Sequence, residues 1–344
     1  GKKSGAINFN KLYPSAARVM NVSKVVNGAF TKPGYEFMMG ALKNIQQYIS
    51  GEEWVLGPQS GPAPNAKELE AQIKARYYSD FTKEWRDFIA SASILRYASL
   101  KDAAGKLSVF AANSSPLLAF FSVVSRNTAV EDKELANLFQ PPQFIVPPNA
   151  GDKPVGSVNQ PYMAGLAALQ TSVEAASNAP ASDKMAAQAT LGSATNAKNA
   201  ARAIAQNFVV DAAGRVDAMS QKLLEDPITN AEALIRALGP AEMNGKGAGF
   251  CQVISSLWNK YPFSANLSSP PATLEDVNAV FQPGSGALWS FYQTALAASI
   301  ENQAGRYVAK PDAEVPINPS FLTYFNEMAR VSAAFYPGGS TTPS

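Results

Sequence analysis

The chain has 344 residues, 46% of them hydrophobic, and a net charge of +2, with only 16% charged residues against about 25% in a typical soluble domain. That length implies about two domains, and the sparse, balanced charge leaves no clustered basic footprint for nucleic acid. Histidine is absent and Cys251 is the single cysteine. These two facts exclude Ser-His-Asp and Cys-His catalysis, histidine metal sites and an intramolecular disulfide.

The chain opens GKKSGAINF, without Met or signal peptide, and reads as a piece of a longer protein. Lys2 and Lys3 are too few for a membrane-binding basic patch, which takes about four to eight residues. In TKPGYEFMMGALKNIQQYISG, Tyr35, Met38, Met39, Leu42, Ile45 and Ile49 share a helical face, with Thr31 as cap, Pro33 in the first turn and Gly51 at the end. A longer helix is predicted from Ala66 to about Tyr97. Its apolar seam is Leu69, Ile73, Tyr77, Phe81, Trp85, Phe88 and Ile89, and its solvated side holds Glu70, Lys74, Lys83, Glu84 and Arg86. Ser115-Pro116 opens another helix around Leu117, Phe120, Phe121 and Val124. No apolar run there or elsewhere approaches the ~18 residues of a membrane span.

QPPQFIVPPNAGDKPVGSVNQP, from Gln140 to Pro161, lacks helical period and is expected to be a linker or crossover. Residues 162–208 are Ala-rich. Ala186, Ala189, Ser193, Ala197 and Ala200 fit either a close helix–helix contact or a surface helix set by propensity, and both readings stay open. Further helices are predicted at 211–224, at 227–238 with a stop at Gly239-Pro240, and at 248–260. The last, NPSFLTYFNEMARVSAAFY, has Phe321, Tyr324, Phe325, Met328, Ser332 and Phe335 at helical spacing. No run alternates convincingly with period two.

Several motifs suggest chemistry and fail on spacing. GPAEMNGKGAG has five residues between its first two glycines where a phosphate loop needs four, and Gly247 stands where Ser or Thr would hold magnesium. Glu52-Glu53-Trp54 are adjacent, so the carboxylates do not face one substrate across a cleft. Cys251, with no histidine to activate it, is expected in the core. The aromatic seam at Tyr77, Phe81, Trp85 and Phe88 has no basic groove beside it, so core outweighs stacking platform.

The stretch NKYPFSANLSSPPATLEDVNAVFQPGSGALWSFY, Asn259 to Tyr292, concentrates Pro, Gly and aromatics. Phe250, Ile254, Leu257, Trp258 and Tyr261 form an apolar helical face that Pro262 ends. Pro270-Pro271 is a stiff connector, and Thr273 with Asp276 forms a capping box for a short helix containing Leu274, Val277 and Phe281. Pro283-Gly284 makes a turn before a helix that buries Leu288, Phe291, Tyr292 and Ala295. Every unusual residue has a structural task, so the stretch reads as a scaffold corner.

The same residues carry a resemblance. YPF at 261–263, the acidic short helix and F-x-P-G at 281–284 resemble the IcmF-like (TssM) family of type VI secretion. So do FTKPGYE at 30–36 with EEWVLG at 52–57, and Y-x-x-D-x-x-x-x-W-x-x-F within 76–89. SSPLLAFFSVVSRNT at 114–128 and FLTYFNEMARVSAAFYPGG at 321–339 extend the match, and Cys251 lies where the family often has a cysteine before YPF. The sequence departs from the family at Asn259-Lys260, where a Gly-Arg-like pair is expected, and at FQPGSG, where a Gly-Gly pair is usual.

The residues alone imply an all-α fold of two helical subdomains, 1–140 and 162–344, joined by a Pro-rich linker at 141–161. The resemblance implies a non-catalytic periplasmic scaffold of an inner-membrane-anchored protein. Its partners would be an outer-membrane lipoprotein and an inner-membrane protein, with self-association in the full-length complex and a β-rich domain following this segment. No cofactor, metal, catalytic residue, nucleic acid or membrane span is expected, and the residues that meet partners are unassigned. The alternative is a helical module binding peptide or lipid in a groove between the two halves.

Overall fold

A computed structural model describes residues 5–45, 65–151, 153–180, 183–311, 313 and 315–343. It is predominantly helical, and among the described residues the only sheets are two antiparallel strand pairs. Contacts divide the chain into two compact units, residues 1–235 and 236–344, each with its own apolar core.

The first unit begins with α1 (Phe9–Leu12), β1 (Met20–Val22) and α2 (Lys32–Lys43). Thr31 caps α2 as expected, accepting from the Gly34 N–H. Ile49 and Gly51, assigned to the same helix from sequence, lie outside the described residues. α3 (Ala66–Ala90) carries the predicted seam, with Tyr77, Phe81, Trp85, Phe88 and Ile89 all buried. It stops seven residues before the predicted end at Tyr97. Ser91 turns the chain by donating its hydroxyl to the Phe88 carbonyl at 2.8 Å, and β2 (Ala92–Ile94) then pairs with β1, Ala92 opposite Val22 and Ile94 opposite Met20.

α4 (Leu100–Ala111) and α5 (Pro116–Thr128) follow. Among the described residues only Leu100–Thr128 is apolar enough to suggest a membrane span, with a mean hydropathy of 1.6. The turn at 112–115 divides it into helices of 12 and 13 residues, each short of the ~20 that cross a bilayer. α5 is buried on nearly every side, which explains why it is apolar all round.

The Pro-rich stretch differs most from expectation. It lies inside the first unit, and the division between units falls at residues 235/236 rather than at 141–161. After α6 (Lys133–Asn137), Gln140–Ile145 forms α7. Its prolines sit in the first turn, where backbone N–H groups have no helical partner anyway. Ile145 and Val146 are fully buried. The fully buried Asn159 gathers the loop, donating to the carbonyls of Ile145 and Pro154 at 2.9 and 2.8 Å and accepting from Gly156 N–H at 3.0 Å.

α8 (Gln160–Asn178) and α9 (Lys184–Ala205) settle the question left open by the Ala-rich region. They pack closely: a Cβ on Gly165 would lie 2.9 Å from the Ala197 Cα. The buried stripe is Thr190, Ala194, Ala197, Ala201 and Ile204, rotated from the set read in the sequence, of which only Ala197 is fully buried. Ser193 still meets Ser172, hydroxyl to hydroxyl, at 2.7 Å.

α10 (Val216–Trp258) is one continuous helix of 43 residues, replacing the three separate helices expected. Pro227 and Pro240 lie within it, although an interior proline costs a helix about 3 kcal/mol. The division between units falls inside it, at Ile235/Arg236.

The second unit continues with α11 (Leu274–Phe281), α12 (Ala287–Phe291) and a π turn at Tyr292–Leu296. Next come β3 (Ile300–Gln303), β4 (Arg306–Ala309) and α13 (Pro319–Phe335). Residues Phe325, Met328 and Ser332 of α13 are buried and the other predicted positions lie beside them. The hairpin was not expected. Its loop is Ala304-Gly305, with φ of 52° and 86°, the mirror-image turn that matches strand twist and prefers Asn-Gly. The Ala304 side chain pays the left-handed penalty, so Ala304→Asn is expected to stabilise this unit by about 1 kcal/mol. Urea unfolding checks this, and a lower midpoint in the variant would contradict the assigned turn.

Candidate functional site

The family-like motifs of the first unit converge on one interlock. Phe30 stacks on Tyr77 at 5.6 Å, and its carbonyl accepts the Trp85 indole N–H at 2.8 Å. The Tyr77 hydroxyl donates to the Ala29 carbonyl at 2.7 Å, and Tyr35 packs edge-on against Phe81. FTKPGYE and the Y-x-x-D-x-x-x-x-W-x-x-F helix are therefore two halves of one joint. Its aromatics are core, not a stacking platform.

The polar side of α3 is not simply solvated. Glu84 reaches Lys24 at 3.0 Å and accepts the Asn27 N–H at 3.1 Å. Arg86 makes a bidentate pair with Asp211, at 3.0 and 2.6 Å. The Asp211 side chain is 5% exposed and also accepts Gly214 N–H at 3.0 Å. The guanidinium lies across Gly214 so tightly that a Cβ there would fall 1.8 Å from Arg86 Nε.

Beside this pair a cleft of about 770 Å³ opens between α3, α6 and the 214–219 segment, lined in part by Tyr78, Thr82, Asp132 and Leu135. The Tyr78 hydroxyl donates to Asp132 Oδ2 at 2.9 Å and meets Tyr35 Oη at 3.3 Å. Burial first, then these two hydrogen bonds, push its pKa up, so it is held as a neutral donor. Asp132 is held below its ordinary value, first by the Leu135 N–H. The arrangement fixes α6 to α3 and offers no activated base.

In the second unit the Asn259–Tyr292 stretch is the corner expected. Trp258, Phe263, Phe281 and Phe335 form a run of stacked rings, with centroids 5.4 Å apart at Trp258–Phe263, 6.3 Å at Phe263–Phe281 and 6.1 Å at Phe281–Phe335. Tyr261 pairs its N–H with the Pro270 carbonyl at 2.9 Å and its carbonyl with Ala272 N–H at 2.8 Å, closing the loop between. Gly284 takes φ 82° in the Pro-Gly turn. Trp289 donates its indole N–H to Ser332 Oγ at 3.0 Å, and Ser332 donates to the Phe281 carbonyl at 2.7 Å. Tyr261, Leu267 and Leu274 are exposed around this corner.

Thr273 and Asp276 form the capping box, and Lys260 Nζ lies 2.6 Å from Asp276 Oδ1. Lys260 first, then the Thr273 backbone and hydroxyl, lower the Asp276 pKa from 3.8 to about 2. A depressed folded value means that this contribution is present above pH 3.8 and is lost as the pH falls through about 2. Lys260→Gln is expected to move the Asp276 titration back toward 3.8. An NMR pH titration of the carboxyl carbon reads it, and an unmoved midpoint would leave the cap alone responsible.

Cys251 is exposed, not buried. Phe250, Ile254 and Leu257 of α10 point into the core, and a residue one step from Phe250 is rotated about 100° away. GPAEMNGKGAG is helical throughout, so it presents no loop of free N–H groups and Gly239-Pro240 ends no helix. Glu52, Glu53 and Trp54 lie outside the described residues. Among the described residues no cluster of acidic or Cys side chains fits a metal ion. Sequence reasoning missed Asp211, Asn159 and the hairpin. Asp211 lies 125 residues from Arg86, a separation that leaves no local signal.

Residues 2–129 match the family described as "IcmF-related: Intracellular multiplication and human macrophage-killing". Over 93% of its length the chain is 24% identical to "Type VI secretion system component TssM1" of Pseudomonas aeruginosa. The chain is similar to IcmF-like (TssM) proteins: the family match covers residues 2–129 and the likeness to TssM1 runs along most of its length. It spans 32% of the length of that relative. Its fold is similar to that of a chain in a solved "Type VI secretion system membrane core complex", with a TM-score of 0.59 at 17% identity, covering 98% of this chain and 68% of that one. The interlock at Phe30, Tyr77 and Trp85 lies within the residues that match the family, and its motif residues hold elements together.

Proposed function

We propose that this IcmF-like chain is a structural, non-catalytic segment of the type VI secretion membrane complex. It stands in the periplasm as part of an inner-membrane-anchored protein and supports assembly with an outer-membrane lipoprotein and an inner-membrane partner. The likeness to TssM1 along 93% of the chain carries this reading. Three features support it. The chain has no histidine. Tyr78, Asp132, Arg86 and Asp211 at the cleft of the first unit are tied up in structural hydrogen bonds. The family-like motifs build joints rather than a reactive centre.

Calorimetry tests the reading. The cognate outer-membrane lipoprotein is titrated into this chain and into a longer protein that includes the β-rich region expected to follow it. Binding by the longer protein alone is the expected result and makes this chain a spacer and assembly support. Equal affinity for the chain by itself would move the recognition surface onto these helices.

A further inference from the structure

The second unit contains a cleft of about 810 Å³, lined in part by the Pro283-Gly284 turn and by residues of the 321–339 segment. It lies between the tip of the β3–β4 hairpin, the π turn and α13. Tyr292 and Tyr307, both in its lining, meet edge to face at 5.1 Å. Tyr292 belongs to the π turn, an irregularity found disproportionately at functional sites. Arg306 comes from β4 and Glu327 and Arg330 from α13, and all three line the cleft and are exposed. Among the described residues none of their side chains makes an ion pair or hydrogen bond, although 11 pairs form elsewhere.

The outer backbone edge of β4 is already closed. Asn326 accepts Tyr307 N–H at 2.7 Å and donates to the Tyr307 carbonyl at 2.9 Å, as a neighbouring strand would. A ligand in the cleft is therefore recognised by side chains and not by strand addition. Tyr307 is 8% exposed, while Tyr292 and Trp289 are half-buried in the cleft lining, so an apolar group of the ligand meets ring surface there. Two free guanidiniums favour carboxylates, which they bind in bidentate geometry. The unpaired Glu327 carboxylate, which lines the same cleft, opposes a polyanion such as nucleic acid or an anionic membrane and suits a ligand that also presents N–H donors.

We propose that this cleft is a docking site for an acidic peptide segment of a partner protein, with Arg306 and Arg330 taking its carboxylates and Tyr292 packing on its apolar flank. This goes beyond the scaffold reading and does not depend on which secretion component supplies the segment.

The test uses the whole chain, immobilised and panned against a displayed library of random twelve-residue peptides. Enriched peptides are measured by fluorescence anisotropy against the chain and an Arg306→Gln/Arg330→Gln variant, whose unchanged melting temperature confirms the fold. The expected result is enrichment in Asp and Glu, with affinity at least ten-fold weaker in the variant, the loss of about one charge-assisted contact. No enrichment, peptides without acidic residues, or equal binding to the variant would overturn the proposal. So would tighter, arginine-dependent binding of heparin oligosaccharide or phosphatidylglycerol vesicles, which would reassign the cleft to polyanions. A failure here leaves the lipoprotein calorimetry unaffected, so the two readings stand or fall separately.

Discussion

Asp211→Ala is expected to destabilise the first unit by about 3 kcal/mol, the low end for breaking a buried ion pair, because the Arg86 side chain is 22% exposed. The loss comes less from attraction than from what remains. A guanidinium held over Gly214 loses both its acceptors, and the Gly214 N–H loses its own. Replacing both partners, Arg86→Met with Asp211→Ala, is expected to cost less than the sum of the single changes, since neither charge is then stranded. Gly214→Ala is expected to mimic loss of the pair, because its Cβ and the guanidinium compete for the same space. Urea unfolding of the four proteins in the double-mutant cycle reads the coupling. Strict additivity would show that the two side chains do not act as a pair.

Trp85→Ala is expected to cost about 3–5 kcal/mol, as for other fully buried tryptophans. Trp85 has no exposed surface, packs edge-to-face on Phe88 at 5.4 Å and donates to the Phe30 carbonyl. Removing it opens a cavity where α3 meets the segment leading into α2. Trp85→Phe keeps much of the volume and loses the N–H, so it should cost less, roughly the 1–3 kcal/mol of a buried carbonyl left without its donor. Chemical denaturation of both variants separates packing from hydrogen bonding. A Trp85→Ala cost below that of Trp85→Phe would show that the joint is not built as described.

Local signals were legible wherever one helix turn contained them. The caps at Thr31 and Thr273, the α3 seam and the Pro-Gly turn at 283–284 all rest on contacts three or four residues apart, or on a fixed proline φ. Reading failed where a local rule met a tertiary partner. Pro141 and Pro142 suggest a linker, yet they open a helix whose Ile145 is buried and whose following loop is gathered by Asn159. Pro240 suggests a stop, yet α10 runs through it. Cys251 suggests core by residue type, yet the face chosen by Phe250 and Ile254 leaves it outside. The Ala-rich helices could be placed, but the rotation of their contact stripe by a fraction of a turn was fixed only by the close approach of Gly165 and Ala197.

By itself the sequence determined the fold class, the aromatic seams, the absence of histidine chemistry and, through ordered motifs, the resemblance to a family. These follow from composition and from periodicities that act over a few residues. Only the tertiary structure decided where the chain divides, that Arg86 and Asp211 meet across 125 positions, that Asn326 closes the edge of β4, and that Arg306 and Arg330 share a cleft. Each of those depends on segments brought together by burial of apolar surface, which favours compactness without naming partners in the sequence.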